Sequence, residues 1–392
     1  MDLDRRTFLR TVGAGALVSL GGTSGAVAGS GDVPDYLKDH AALFARDPHA
    51  AALAWFKQAR FGLFIHYGLY SLCGGEWKGK QVTTSRGGAV AEWIQFHGRI
   101  PIAEYARLKD RFTAEHFDPD VITDLAIAAG MRYVNLTTRH HDSFCLFRTK
   151  ETDFQSLNTP AKRDLVGDLA DACRRKGLGL FLYYSHGRDW RHPHSPPPSR
   201  PKYKEHQPEY VPPEKVDLDK YTAFMKAQVT ELLTQYGPVA GIWLDGIGVL
   251  KQYARQLGGM EKAIDLFHLH DLYAHIRRLQ PQCLVSYKNG VTGTEDFTAP
   301  ERKSAGLEKT GKPVEVCTTI QAHSWGYNQF TKKRKSVDEL WETLTKTRAV
   351  DGNLLLNTGP KGDGSIVPEE AERLRTIGAR IRDRGWPVKA QA

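Results

Sequence analysis

The sequence has little of what marks disulfide-rich, metal-knuckle or membrane proteins. Its 392 residues contain only five cysteines, an odd number with no C-x-x-C pair, so neither a disulfide framework nor a zinc knuckle is predicted. Beyond a short glycine-rich run near the N-terminus, no stretch approaches the ~18 apolar residues of a membrane-spanning helix. We therefore expect no membrane anchor, and we expect several of the cysteines to lie in the core.

Signatures of other enzymes and of nucleic-acid binding are also missing. The first predicted strand is not followed by the Gly-x-Gly-x-x-Gly turn of a dinucleotide-binding fold, and no Gly-x-Ser-x-Gly elbow for acyl transfer is present. Lys and Arg outnumber Asp and Glu by 54 to 45, but they are dispersed rather than gathered in one stripe. We predict no cofactor and no nucleic-acid partner.

The N-terminus has the pattern of an export signal. Arg5-Arg6 precedes an apolar, small-residue run at 12–20, and Ala26-Val27-Ala28 supplies the small-x-small pattern that signal peptidases prefer. We predict a twin-arginine-type signal peptide over residues 1–28 and a mature chain over 29–392. The protein would then be periplasmic or extracellular.

Strand-like runs alternate with helical periods that end at glycine. The continuous apolar character of the runs is typical of strands buried on both faces. The predicted strands are 61–66, 133–138, 178–184, 241–245, 283–288, 314–320 and 353–357, and the predicted helices are 118–130, 164–177, 221–237, 337–352 and about 369–385. This alternation predicts an α/β fold, a (β/α)8-like TIM barrel in one catalytic domain. Because only seven strands are legible, either one is hidden in irregular sequence or the barrel is imperfect.

Polar residues gather where the predicted strands end. His66, Tyr183 and Asp245 each lie at or near a strand end, and the C-terminal strand ends of a barrel form its active-site floor. Two long loops, 71–93 and 191–216, follow the first and third strands. The second holds eight of the 20 prolines, which predicts a semi-rigid wall over the substrate, with a surface linker as the alternative.

These residues suit glycoside hydrolysis better than metal chemistry. His66, His140, His141 and Asp142 are suitable metal ligands, but neighbouring histidines on an extended chain point to opposite sides, so we predict no metal site. Glycoside hydrolysis needs two carboxyl groups and a polar, aromatic sugar site. A carboxylate that ends an apolar strand beside Trp243 is costly to bury, so Asp245 is the candidate nucleophile.

Seven segments, in order, resemble one enzyme family. They are FGLFIHYG from Phe61, Glu92-Trp93, HHDSF from His140, YYS from Tyr183 through Asp189-Trp190, IWLDG from Ile242, SWGYN from Ser324 and LLLNTGP from Leu354. Together they resemble glycoside hydrolase family twenty-nine, the α-L-fucosidases, in its broad-specificity branch. The resemblance covers the chain from about Trp55 to the final helix.

The resemblance implies a retaining exo-α-L-fucosidase that acts on a fucosylated oligosaccharide or glycoconjugate by double displacement. Asp245 would be its nucleophile, and Trp325 would form an apolar wall beside the fucose methyl. The residues that would hold the sugar hydroxyls are His66, Glu92, Trp93, His140, His141, Tyr183 and Trp243. The C-terminal β-sandwich domain of many family members has no counterpart in the sequence.

The acid/base and one binding residue are less direct to assign. Four glutamates lie in the variable region after the nucleophile strand: Glu295, Glu301, Glu308 and Glu315. The segment ending in Glu301 resembles the one that carries the family's acid/base, so Glu301 is the first choice and Glu295 the second. Lys288 takes the place of an arginine that often contacts fucose. This departure leaves two alternatives open, a hydrolase of a related sugar such as an L-galactoside, or a catalytically impaired fucose-binding barrel.

Overall fold

The computed structural model describes residues 32–85, 87–88, 90–203, 213–302 and 311–387, so the predicted signal peptide lies outside the described residues. Seven long strands form one parallel sheet, and two short ones form a hairpin. In chain order the strands are Phe61–Ile65 (β1), Glu76–Trp77 (β2), Lys80–Gln81 (β3), Tyr133–Arg139 (β4), Gly179–Ser185 (β5), Gly241–Asp245 (β6), Leu284–Tyr287 (β7), Glu315–Thr319 (β8) and Asn353–Thr358 (β9). All seven predicted strands are confirmed.

The sheet curls so that an irregular segment joins its two edges. The strand order is β7-β6-β5-β4-β1-β9-β8, which leaves β7 and β8 as the edges. On one side, the Ala299 N–H donates to the carbonyl of Lys288 at 2.6 Å. On the other side, the Glu315 N–H donates to the carbonyl of Thr298 at 2.8 Å, and the Arg302 N–H donates to the carbonyl of Cys317 at 2.9 Å. The segment 296–302 therefore occupies the place of the missing strand. This matches one of the two alternatives that the sequence left open, in which the eighth position is hidden in irregular sequence.

Helices cover the outside of the sheet, and most of the major ones begin at a residue that caps them. Asp118, Asp164, Asp217 and Ser336 each accept a backbone N–H of the first turn, which satisfies donors that the helix itself cannot. The α-helices are Ala41–Phe44 (α1), Pro48–Ala59 (α2), Leu69–Cys73 (α3), Ile94–His97 (α4), Ile102–Ala106 (α5), Pro119–Ala128 (α6), Leu165–Arg175 (α7), Leu218–Gln235 (α8), Ile247–Leu257 (α9), Met260–Leu266 (α10), Leu269–Leu279 (α11), Val337–Arg348 (α12) and Pro368–Arg384 (α13). Short 3-10 turns occupy Asp35–His40, Arg107–Arg111, Ser156–Asn158 and Pro197–Ser199.

Two apolar layers hold the barrel together. The outer layer lies between the sheet and the helices, and the inner one fills the barrel. Trp55 and Phe56 of α2 close the inner layer at the N-terminal ends of the strands, where Trp55 stacks on Phe181. A Cβ on Gly179 would lie 2.4 Å from the Trp55 ring, so glycine is needed there. Among the described residues, this packing closes the N-terminal end of the barrel and leaves the opposite end open to form a site.

The cysteines and the predicted helices can also be compared with the structure. All five cysteines are free and buried, as expected for several of them. No helix in the described part of the chain is long and apolar enough to cross a membrane. The five predicted helices correspond to α6, α7, α8, α12 and α13, whereas α9 to α11 and the β2–β3 hairpin were not predicted.

Candidate active site

A cavity of about 500 Å³ opens at the C-terminal ends of the strands, where the polar strand ends were expected to meet. Every first-choice site residue lines it. These are His66, Glu92, Trp93, His140, His141, Tyr183, Trp243, Asp245, Lys288, Glu301 and Trp325. Residues that sequence reasoning missed also line it, among them Phe64, Arg188, Asn289, Arg302 and His323.

Asp245 ends β6 and is held as an ionised carboxylate. Its Oδ2 accepts the Tyr183 hydroxyl at 2.8 Å, and its Oδ1 accepts the Gly246 N–H at 2.6 Å and lies 3.5 Å from Lys288 Nζ. Burial opposes the charged form, but the Lys288 charge and these hydrogen bonds outweigh it, so the pKa of Asp245 is lower than usual. A charged carboxylate that is partly exposed to a cavity can act as a nucleophile.

Lys288 links the two candidate carboxylates. Its Nζ lies 3.5 Å from Asp245 Oδ1 and donates to Glu301 Oε2 at 3.1 Å, and it sits 5.4 Å from the centre of the Trp243 ring. Asp245 Oδ1 and Glu301 Oε2 can therefore be no farther apart than the sum of their distances from Lys288 Nζ. That upper limit lies at the short end of the ~6.5–9.5 Å that an inverting pair needs. The bridge through Lys288 is therefore compatible with the ~5–5.5 Å separation of a retaining pair.

Glu301 sits at the rim, between Lys288 and Trp325. Its Oε1 accepts the Trp325 indole N–H at 3.2 Å, and its side chain is 41% exposed, so it can reach both a bound sugar and water. Three residues near it hold left-handed backbone conformations, which cost energy for side chains larger than glycine: Lys288 at φ 49°, Arg302 at φ 56° and His323 at φ 68°. The strain is concentrated on the side of the cavity that carries Glu301.

The other glutamates do not compete with Glu301. Glu295, the second choice, is 2% exposed and does not line the cavity; its Oε1 accepts the N–H groups of Val291 and Thr292 and the Tyr273 hydroxyl. Its many local hydrogen bonds make it a loop-fixing residue. Glu315 lies beneath the cavity floor, and Glu308 lies outside the described residues.

Glu315 supports the floor from below. Its two oxygens accept the Tyr133 hydroxyl at 2.6 Å and the Trp243 indole N–H at 3.0 Å. Burial raises the pKa of Glu315 to about 7, and the two hydrogen bonds only partly oppose that rise. Glu315 therefore fixes the orientation of Trp243 without facing the cavity.

His66 presents a hydrogen-bond acceptor to the cavity. Asn357 donates its amide N–H to the carbonyl of Trp325 at 2.7 Å, which turns the amide oxygen towards His66. His66 Nδ1, 2.6 Å from that oxygen, must then carry the proton and donate. Burial lowers the pKa of His66 to about 3, so the ring is neutral and Nε2 is left as an acceptor for a sugar hydroxyl.

His141 is fixed in the same tautomer by a serine. The Ser185 hydroxyl donates to the carbonyl of Arg188 at 2.6 Å, so it must accept the Nδ1 proton of His141, which lies at 2.6 Å. Burial lowers the pKa of His141 well below its usual value. Its Nε2 is therefore an acceptor, and it lies 3.9 Å from Asp245 Oδ2. Neutral histidines on both sides of a sugar suit hydroxyl recognition.

The two neighbouring histidines face the same cavity, contrary to the expectation that they would point to opposite sides. β4 ends at Arg139, and the chain then turns, with the Ser143 N–H donating to the carbonyl of His140 at 3.1 Å. The rings of His140 and His141 lie 4.1 Å apart. The strand rule does not hold here because the segment is no longer extended. Even so, the described residues contain no group of three or more His, Cys, Asp or Glu arranged to hold a metal ion.

Glu92 holds the loop that carries Trp325. Its Oε2 accepts the Ser324 hydroxyl and the N–H groups of Trp325 and Gly326, all at 3.0–3.1 Å. This brings the first long loop and the segment after β8 together at the cavity. Within the second long loop, residues 191–203 and 213–216 do not line the cavity, and 204–212 lie outside the described residues.

A parallel barrel whose open end pairs two carboxylates with neutral histidines and tryptophans is the site of a glycoside hydrolase. A model of the α-L-fucosidase family matches residues 41–385. The chain therefore belongs to the α-L-fucosidase family, glycoside hydrolase family twenty-nine, whose members hydrolyse α-L-fucosyl linkages.

Individual relatives agree with this assignment. The chain is 29% identical over 346 residues to tissue α-L-fucosidase of Rattus norvegicus, covering 86% of this chain and 69% of that protein. It is similar to the structure of α-L-fucosidase AlfC from Lactobacillus casei in complex with α-L-fucose product, with 30% identity, a TM-score of 0.71, and coverage of 85% of this chain and 98% of that one. α-L-Fucosidase isoenzyme 1 from Paenibacillus thiaminolyticus gives 30% identity and a TM-score of 0.71, with 88% and 80% covered.

Proposed function

We propose that the protein is a retaining exo-α-L-fucosidase in which Asp245 is the nucleophile and Glu301 the acid/base. The observation that carries this assignment is the bridge formed by Lys288, which touches both carboxylates and limits their separation. Asp245 is the less exposed member of the pair, with a 14% exposed side chain and a lowered pKa, and Glu301 is the more exposed one. A nucleophile must stay charged under the sugar, whereas an acid/base must exchange its proton with leaving group and water.

The reaction then proceeds in two steps. In the first, Asp245 attacks the anomeric carbon while Glu301 gives its proton to the glycosidic oxygen, so that the leaving group departs and a covalent fucosyl ester forms. In the second, Glu301 removes a proton from water, the water attacks the same carbon, and Asp245 is released. Two inversions at one carbon return L-fucose with its original configuration.

The neutral histidines and the tryptophans would position the fucosyl unit. His66 and His141 each offer a ring nitrogen that accepts a hydroxyl proton, and Glu92 lines the cavity wall. Trp325, fixed by Glu92, would provide an apolar face for the methyl group, where the extra hydroxyl of an L-galactoside would lose its hydrogen bonds. The natural substrate would be a fucosylated oligosaccharide or glycoconjugate.

Azide can test the two roles separately. We expect the wild type to release nitrophenol from 4-nitrophenyl α-L-fucoside and Asp245→Ala and Glu301→Ala to be impaired. In Glu301→Ala, azide would replace water in the second step and give α-L-fucosyl azide. In Asp245→Ala, azide would attack the substrate directly and give β-L-fucosyl azide. The opposite pair of products would reverse the roles, and a wild type that binds fucose without turnover would favour the impaired barrel.

We also propose export through the twin-arginine route to the periplasm or beyond, on the basis of Arg5-Arg6 and the Ala26-Val27-Ala28 site. Expression in a bacterium with an intact twin-arginine system should give a secreted protein whose N-terminal sequence begins near Gly29. Replacing both arginines with lysine should leave the uncleaved protein in the cytoplasm. Processing that is unaffected by this replacement would rule out the twin-arginine route.

A further inference from the structure

Arg188 is a cavity residue that the proposed mechanism does not use. It follows β5 by three residues, and its guanidinium lies over the Trp93 ring, 4.9 Å from the ring centre. Its backbone is fixed because Ser185 donates to its carbonyl at 2.6 Å, through the same hydroxyl that orients His141. Its position is therefore set by the structure around it.

The charge of Arg188 is only weakly compensated. The hydrogen bond of its guanidinium to the protein is long, from Nη1 to the carbonyl of Ser199 at 3.4 Å, and no described carboxylate forms an ion pair with it. A guanidinium carries five N–H donors, and removing it from water is costly unless they are used. Lys288, by contrast, is balanced by both Asp245 and Glu301.

A second positive feature lies on the same wall. Residues Gly246–Gly248, where α9 begins, line the cavity, and a Cβ on Gly248 would lie 3.8 Å from Arg188 Nη2. The N-cap residue is a glycine with no side chain to cap the helix, and the first turn contains no acidic residue. The backbone N–H groups at the start of α9 add positive potential beside the guanidinium.

The order of the strands shows which part of a substrate this wall faces. Around the barrel, Arg188 follows β5, Asp245 ends β6, and Lys288 and Glu301 lie on the far side, after β7 and in segment 296–302. Because the leaving group must reach Glu301, it lies on the far side of Asp245 from Arg188. With Glu301 as the acid/base, Arg188 would therefore face the fucosyl ring rather than the leaving group, in a cavity of about 500 Å³.

We propose that Arg188 and the first turn of α9 form an oxyanion subsite for a sulfate ester on the fucosyl ring. This inference rests on the proposed function and specifies its substrate class, an O-sulfated α-L-fucoside. A sulfate offers three acceptor oxygens to the planar donors of Arg188 and to the helix N–H groups. Arg188 would be a specificity-determining residue, and bond cleavage would still depend on Asp245 and Glu301.

The test compares 4-nitrophenyl α-L-fucoside with its 2-, 3- and 4-O-sulfated forms, for the wild type, Arg188→Leu and Arg188→Lys. Wild-type hydrolysis of the unsulfated compound tests the proposed function on its own. For at least one sulfated form, we expect Arg188→Leu to lower kcat/KM relative to the unsulfated compound by at least about tenfold. Arg188→Lys should lie in between, because lysine keeps the charge but loses the planar fork. Arg384→Leu, which removes an exposed charge far from the cavity, should leave the ratio unchanged.

Binding provides a second readout that does not depend on turnover. Calorimetry should show that fucose sulfate binds the wild type more tightly than it binds Arg188→Leu, by a factor that shrinks as salt is raised. The same ratio of sulfated to unsulfated rates in wild type and Arg188→Leu would overturn the subsite. A second fucoside carries its sulfate only on the leaving-group sugar. If hydrolysis of this compound depends on Arg188 while hydrolysis of the ring-sulfated fucosides does not, the subsite does not lie against the fucosyl ring.

Discussion

Lys288 controls how readily Asp245 loses its charge. The lowered pKa of Asp245 depends on the positive charge 3.5 Å away, so Lys288→Met should raise it. The nucleophile is active when ionised, and activity is lost as the pH falls through its pKa. The acidic limb of kcat/KM on an aryl fucoside should therefore move to higher pH in Lys288→Met, whereas an unmoved limb would show that another group sets it.

Glu315 makes the stability of the protein depend on pH in an unusual direction. Its folded pKa, raised to about 7, exceeds its unfolded value, so between these values the folded state holds the extra proton. The contribution of Glu315 to the free energy of unfolding is fully present below the pKa of the unfolded state, and it is lost as the pH rises to about 7. Relative to Glu315→Gln, the wild type should lose melting temperature over that range. A constant difference between the two proteins would contradict the assignment.

Among the structural elements, the irregular segment 296–302 both joins the two edges of the sheet and carries Glu301. Ala299→Pro removes the N–H that donates to Lys288 at 2.6 Å, so both Lys288 and Glu301 should shift. We expect kcat to fall at least about tenfold with a folded protein, since a small displacement of catalytic groups is costly.

A matched control separates this effect from simple destabilisation. Ser336→Ala removes the capping box of α12, away from the cavity, and should cost about 1 kcal/mol of stability. Its kcat should stay at the wild-type value at a temperature where both variants are folded. If Ser336→Ala loses as much kcat as Ala299→Pro, the loss reflects stability and not the position of the segment.

The sequence predicts regular elements better than this segment, for a physical reason. Strands such as β1 and β6 are buried on both faces, so their apolar runs are unmistakable. Segment 296–302 contains Pro300 and Glu301 and bonds to its neighbours at only a few points, so no apolar period marks it. The place of Arg188 in the cavity could not be predicted for a related reason. It lies three residues past the end of β5, in a turn whose direction depends on the folded chain.

At the scale of the whole molecule, a buried ion pair anchors the active face. Arg139 and Asp189 are fully buried and in contact, and Asp189 also accepts the Ser143 hydroxyl and two loop N–H groups. Asp189→Asn would leave the Arg139 charge without its partner, which typically costs about 3–5 kcal/mol. We expect a marked fall in melting temperature. A stability equal to that of the wild type would show that the pair contributes little.

The division of the molecule into a plugged end and an open end explains why so many site residues could be named in advance. Every first-choice residue lies near the C-terminal end of a strand or in the chain that follows one, and a closed parallel sheet brings those positions to one cavity. The side-chain tautomers and the bridge through Lys288 could not be predicted in this way, because they depend on hydrogen bonds between distant segments such as Asn357 and His66.

Trapping the covalent intermediate would identify the nucleophile directly. A 2-deoxy-2-fluoro-L-fucosyl fluoride should transfer its fluorofucosyl group to the nucleophile slowly, releasing fluoride, and the resulting ester should hydrolyse more slowly still, because the fluorine at C2 destabilises both transition states. Intact mass followed by peptide mapping should then show one fluorofucosyl group, on Asp245. A label on another carboxylate would contradict the assignment of Asp245, and release of β-L-fucose as the first product from the natural anomer, with no label, would contradict double displacement.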